Sequence, residues 1–335
     1  MTDSAVSAPR LETLIDGVVA RRIRDVARAI TIVENGGTPA RDLMAALSAR
    51  PQAQRRAQTI GLTGSPGVGK STMTAALIAA LREQQRSVAV LAVDPSSPFS
   101  GGALLGDRIR MQSHSQDADV FIRSMASRGH LGGLAAAAGQ VLRVFDAAGF
   151  DVVLIETVGV GQSEVEIAAA ADTTVVLLAP GMGDGIQAAK AGILEIGDVF
   201  VVNKADRDGA ASTARELRQM IALSGDGAGG GSEQWTPVVV TSVASTGQGV
   251  PDVAEAIDAH QQWASEHGEL ARRRLLRARE EITATLTGLL RISLQSTQLS
   301  GQVDRTAEEA AAGRLDVHRA AEQLWKLLAD GSPDG

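Results

Sequence analysis

Gly64-Ser65-Pro66-Gly67-Val68-Gly69-Lys70-Ser71 is the stretch whose reading decides the fold. It fits G-x-x-x-x-G-K-[ST] and stands between an apolar run, Thr59 to Thr63, and a helical pattern beginning near Gly69. That is the context of a phosphate-binding loop. The glycines let the backbone curl so that successive N–H groups point inward, and the following helix presents its positive end to a polyphosphate. Lys70 is then expected to reach the β- and γ-phosphates as a catalytic cation, Ser71 to offer its hydroxyl to Mg²⁺, and Thr72 to complete the nucleotide-binding run.

Outward from this loop, from Thr59 to about Trp263, short β-branched runs alternate with helical patterns. Thr59 to Thr63, Val88 to Val93, Asp151 to Ile155, Thr173 to Leu178, Val199 to Val202 and Val238 to Thr241 read as strands. Unalternated apolar strands separated by helices predict an α/β fold, a parallel sheet covered on both faces. Ligands of such sheets bind at the carboxyl ends of the strands. The glycine-rich stretch from Gly225 to Ser232 predicts a surface loop. Upstream, Leu11, Leu14, Ile15, Val18, Val19, Ile23, Val26, Ile30 and Val33 recur at three- and four-residue steps and predict one amphipathic helix with a stop at Gly36-Gly37. Thr38 and Pro39 open a second short helix through Leu47, and Arg50 to Gln58 reads as a linker. Beyond Ser265 the pattern is wholly helical: a long helix broken near Gly301, a short one with a capping box at Thr306 and Glu309 ending at Gly313, and a last one stopping at Gly331. The expected domains are an N-terminal helical extension (1–58), a P-loop nucleotide-binding domain (59–264) and a C-terminal helical region (265–335). The C-terminal region has more apolar surface than a lone arm could hide, which predicts a homodimer interface.

The chain of 335 residues contains no cysteine, which excludes thiolate metal sites, iron–sulfur clusters and a thiol nucleophile. No run of 18 or more apolar residues and no secretory leader is apparent, so a cytoplasmic protein without a membrane partner is expected. The net charge of −7 argues against nucleic acid as a partner. Accordingly Arg272-Arg273-Arg274-Leu275-Leu276-Arg277, with Glu280 and Glu281 beside it, reads as a solvated helix face. The five histidines show no metal-ligand spacing and read as structural or exposed.

Asn203-Lys204-Ala205-Asp206 follows a predicted strand, and the Asp206 carboxylate can accept from both N1–H and the 2-amino group of guanine. Adenine has no 2-amino group and presents a lone pair at N1, so a carboxylate there disfavours it. Ser242-Val243-Ala244, after the last predicted strand, would offer backbone N–H to the base oxygen. Glu156-Thr157-Val158-Gly159 ends a buried strand and matches the D-x-x-G switch of GTPases with Glu in place of Asp. Glu156 is thereby a candidate at the Mg²⁺ shell, and Val160 stands where many GTPases place a water-orienting Gln, which predicts slow intrinsic hydrolysis. Asp94, in Val93-Asp94-Pro95-Ser96-Ser97, and Asp107, in Gly106-Asp107-Arg108, are further metal candidates.

The phosphate loop, Asp94-Pro95-Ser96-Ser97, the block Glu156 to Glu164, Gly183-Asp184 with Gln187 and Lys190, and Asn203 to Asp206 together resemble the methylmalonyl-CoA mutase-associated GTPase family, the MeaB/ArgK type. The likeness spans roughly residues 11 to 295. It implies a homodimeric G-protein chaperone of an adenosylcobalamin-dependent methylmalonyl-CoA mutase, with bound GTP or GDP and Mg²⁺ and with C-terminal helices as the dimer arm. It also implies that Asp94 and Asp107 lie in switch I, that Glu156 opens switch II, and that Asp184 to Lys190 form a partner-facing third switch. There Lys190 could be brought toward the γ-phosphate. Three alternatives are a nickel-delivering metallochaperone GTPase, disfavoured by the absence of Cys, an ATPase or kinase linked to basic amino-acid transport, disfavoured by Asn203 to Asp206, and a signal-recognition-type targeting factor, for which no Met-rich domain follows.

Overall fold

The computed structural model describes residues 8–51, 55–95, 117–127, 133–157, 169–181, 193–225, 234–294 and 299–330. The chain opens with α1 (Ala8–Val19), α2 (Ile23–Asn35) and α3 (Gly37–Ser48). The single long helix expected from periodicity is therefore two. The break is a tertiary effect: Arg21 takes a left-handed φ of 52°, which aims its guanidinium at Ala148 O (3.1 Å), Gly149 O (2.5 Å) and Asp119 Oδ1 (3.0 Å) and over the Phe150 ring. Gly36, at φ 69°, closes α2 and is also the N-cap of α3, which begins at Gly37, so the start expected at Thr38 and Pro39 falls inside the first turn and no side chain caps it.

Next come β1 (Gln58–Thr63), α4 (Lys70–Glu83), β2 (Val88–Pro95), β3 (Val120–Ser127), α5 (Gly133–Ala147), β4 (Val152–Thr157), β5 (Thr173–Leu178), α6 (Ile193–Ile196), β6 (Val199–Val202), α7 (Ala210–Gly225), β7 (Val238–Thr241) and α8 (Val250–Glu266). Among the described residues the strands form one sheet, parallel throughout, in the order β3-β2-β4-β1-β5-β6-β7. The fold is thus a covered parallel α/β sheet with one strand beyond the six expected. That strand, β3, lies at an edge, and its polar residues Arg123, Ser124 and Ser127 hide it from an apolar-run criterion.

Successive side chains on each strand face opposite layers. On one side, Ala89, Leu91, Val93, Phe121, Val153 and Ile155 meet α1, α2, α3 and α5 around Phe145 and Phe150. On the other, Ile60, Leu62, Val90, Leu154, Val175, Leu177 and Val201 meet α4 and α8. Val176, Leu178, Phe200 and Val202 are covered by α7. At the far edge β7 is only half covered, and Arg218 Nη2 donates to Val239 O at 3.1 Å.

An aspartate row lines the amino ends of the strands. Asp151 Oδ2 accepts the Ser87 N–H (2.9 Å), Asp172 Oδ2 the Thr59 N–H (3.2 Å) and Asp198 Oδ2 the Thr174 N–H (2.8 Å), each capping a neighbouring strand. The basic run at the start of α9 (Glu269–Leu294) reaches this row. Arg274 and Arg277 pair with fully buried Asp172 at 2.7 and 2.9 Å, and Arg273 with Asp198 at 2.7 Å. The expectation of a solvated face is corrected here for those three, while Arg272 stays exposed and pairs with Glu269. Fully buried His260 is structural, with Nδ1 2.8 Å from Thr173 Oγ1 and Nε2 3.2 Å from Asp198 Oδ1.

The chain resolves into two compact units, Met1–Arg279 and Glu280–Gly335. The second holds the rest of α9 with α10 (Ser300–Ala311) and α11 (Val317–Asp330). Thr306 is not a cap: it lies inside α10 and donates to Gln302 O at 2.7 Å. The cap is Asp316, whose Oδ2 accepts the N–H groups of His318 (3.0 Å) and Arg319 (3.2 Å) at the start of α11. Leu286, Leu289, Ile292 and Trp325 are exposed on these helices.

Candidate functional site

The loop between β1 and α4 needs glycine at two places, where φ is positive and a neighbour stands too close for a Cβ. Gly64 has φ 138°, and a Cβ there would lie 2.3 Å from Leu177 O on β5; Gly69 has φ 98°, and its Cβ would lie 2.5 Å from Asn203 Nδ2. The loop therefore threads between β5 and the residue after β6. Buried Lys70, the first residue of α4, folds back so that Nζ donates to Gly64 O (2.6 Å) and Ser65 O (3.1 Å). Its ammonium, with three donors on a flexible stem, thus stands within the loop whose backbone is expected to hold the phosphates. Ser71 and Thr72 follow in the first turn, Ser71 buried and Thr72 half-buried.

Glu156 is one residue from the end of β4, level with Leu62 of β1 and Ala92 of β2. It is buried, and its carboxylate is held by two hydroxyls of α4: Ser71 Oγ donates to Oε1 at 2.6 Å and Thr74 Oγ1 to Oε2 at 2.8 Å. A serine hydroxyl against a buried carboxylate is an oxygen donor set of the kind Mg²⁺ takes, few in number and completed by water and phosphate. Ser71 and Glu156 therefore fit a Mg²⁺ ion, which when bound would neutralise charge on the phosphates. Asp94 sits at the end of β2, just past the level of Glu156 in the same sheet edge. Its side chain lies outside the described residues, as do Asp107, Lys190 and the stretch 158–168 with Gly159 and Val160. Among the described residues no three His, Asp or Glu side chains converge as a metal cluster.

The guanine side is built on Asn203, immediately after β6. Its Nδ2 donates to Val68 O in the phosphate loop at 2.8 Å, and its Oδ1 accepts the Ala244 N–H at 3.0 Å. Lys204, at φ 57°, donates through Nζ to Gly67 O at 2.5 Å. Asn203 thus ties the phosphate loop to the loop after β7, Lys204 ties it to the loop after β6, and Asp206 stands exposed two positions beyond Lys204. The Ser242-Val243-Ala244 segment differs from expectation. The Ser242 N–H is bonded to Val202 O, that of Val243 to Gln248 O and that of Ala244 to Asn203 Oδ1, so each has a protein partner already. Thr74 carries no signal in the sequence, since nothing in its spacing reveals which strand end lies beside it.

Comparisons with known proteins agree with this geometry. A family profile described as methylmalonyl Co-A mutase-associated GTPase MeaB matches residues 26–297. A curated Pyrococcus abyssi protein described as a GTPase is 40% identical over 321 residues, 96% of this chain and 98% of its own length. The mouse protein named methylmalonic aciduria type A homolog, mitochondrial, is 34% identical over 330 residues, 95% of this chain and 79% of its own. Among solved structures, one titled LAO/AO transport system kinase aligns with a TM-score of 0.67 and 25% identity, over 97% of this chain and 100% of that one.

Proposed function

The chain belongs to the methylmalonyl-CoA mutase-associated GTPase family, MeaB, and from that premise we propose that its GTP cycle gates cofactor loading and protection of an adenosylcobalamin-dependent methylmalonyl-CoA mutase. It acts in the cytoplasm as a homodimer, binds GTP with Mg²⁺ through Lys70, Ser71 and Glu156, and hydrolyses it slowly until the mutase engages. The observation that carries the reading is Asn203, whose amide joins the phosphate loop to the loop after β7 at 2.8 and 3.0 Å. With both loops tied through one side chain, a base read by Asp206 and phosphates held at Lys70 belong to a single ligand. The name of the mouse relative supports the link to methylmalonate metabolism. Coupling is assigned to the segment from Asp184 to Lys190, which follows β5 in the sequence. Contact with the mutase would bring Lys190 toward the γ-phosphate in the manner of an arginine finger.

The test is titration of the mutase into the wild type and Lys190→Ala while GTP turnover is followed. The wild type should be stimulated and the variant much less so, with nucleotide binding in the free protein unchanged. Equal stimulation would move the coupling to Glu156 through Glu164. The competing kinase reading, suggested by the name of the solved structure, requires ATP to compete equally with GTP, and Asp206 is a guanine-reading group.

A further inference from the structure

Thr74 lies on α4 one turn beyond Ser71, fully buried. Its single hydroxyl hydrogen has two acceptors within reach, Glu156 Oε2 at 2.8 Å and Lys70 O at 3.1 Å. A mid-helix threonine often back-bonds to the carbonyl four residues earlier, and that alone would make Thr74 a helix detail. The carboxylate is nearer and charged, and a hydrogen bond to an ionised acceptor is the stronger of the two. Glutamate also has one more rotatable bond than the aspartate common at this switch position, so a carboxylate on Glu156 needs a second restraint to stand in one place. Ser71 and Thr74, three positions apart on one helix face, grip its two oxygens separately.

We infer that Thr74 is a positioning residue for the metal step: by holding Oε2 it keeps Oε1 of Glu156 against the Ser71 hydroxyl, where Mg²⁺ would be received. The inference rests on the GTPase reading with Mg²⁺. Binding of a fluorescent non-hydrolysable GTP analogue is measured in EDTA and in Mg²⁺ for the wild type, Thr74→Val and Thr74→Ser, with thermal melts to verify folding. Wild-type affinity should rise with Mg²⁺. Thr74→Val, close in shape but without a hydroxyl, should bind within about twofold of wild type in EDTA yet lose about tenfold of the Mg²⁺ enhancement, as befits one charge-assisted hydrogen bond. Thr74→Ser should restore it to within about twofold. A Thr74→Val protein with full enhancement overturns the inference, as does Thr74→Ser being as deficient as Thr74→Val. A fall in EDTA affinity equal to that in Mg²⁺ also overturns it, since the hydroxyl would then be bracing the loop through Lys70 O. If Thr74→Val does not fold, Thr74→Ala is read by the same outcomes. Absence of Mg²⁺ enhancement in the wild type would sink the metal reading itself, and this inference with it.

Discussion

Asp206 is exposed, three residues past an asparagine that is locked between two loops, so a base meets a side chain held on a rigid footing but open to solvent. Asp206→Asn exchanges an acceptor for a donor opposite the guanine 2-amino group. Competition binding should show GTP affinity falling by at least about a hundredfold while xanthosine triphosphate gains. Lys70→Ala should lower GTP turnover by orders of magnitude in a single-turnover assay, because the charge that offsets the transferring phosphoryl group is removed. The same change releases Gly64 O and Ser65 O, so analogue affinity falls too, which separates it from a purely catalytic loss. At this scale the phosphate loop was legible because its glycines and lysine act at fixed spacing. Asn203 and Lys204 were legible as a motif, though their bonds to Val68 O and Gly67 O depend on a strand order that spacing does not encode. Thr74 and the occupied N–H groups of Ser242 to Ala244 were hidden for the same reason.

The first turns of α9 are fixed by charge. Burial pushes the carboxyl of Asp172 upward, yet the hydrogen bond from Arg274 and the charges of Arg277 and Arg274 outweigh it and hold the group below the usual carboxylate range. Asp198 is likewise lowered, burial being exceeded by His260 and Arg273. A carboxyl whose folded pKa lies below its unfolded value contributes stability that is complete above the unfolded value near pH 4. That contribution is lost as pH falls through the folded value. Asp172→Asn leaves Arg274 and Arg277 half-buried without their carboxylate and should cost about 3–5 kcal/mol at pH 7. In thermal melts its deficit against the wild type should narrow as pH drops from about 7 to 3. A deficit independent of pH would show that the pair is not ionised. Asp146 runs the other way, raised by burial, and its contribution fades as pH rises. The six apolar strands were readable as elements; the arginines were not, because a basic run on a helix looks alike whether it meets water or two buried carboxylates. The α1–α2 break was hidden similarly, since only the tertiary partners of Arg21 reveal it.

Over the whole chain, the compact unit ending at Arg279 includes the arginines that satisfy Asp172 and Asp198. A chain ending after Arg279 should therefore bind the GTP analogue as the full chain does and run as a monomer in light scattering, against a dimer for the full length. A chain ending at Ala264 should melt well below it, having lost Arg273, Arg274 and Arg277. A full-length monomer would remove the basis for assigning the exposed face of α9 and α11 to self-association. The open border of the sheet bears on another hazard. Three successive valines in β7 form a border strand of the kind that recruits other chains by strand addition and seeds insoluble deposits. Pro237, lacking an N–H, stands just before it, and Arg218 occupies the Val239 carbonyl. The arginine is thus a gatekeeper on the native fold, and Arg218→Ala should raise turbidity during slow heating at temperatures below the melt, with nucleotide binding untouched.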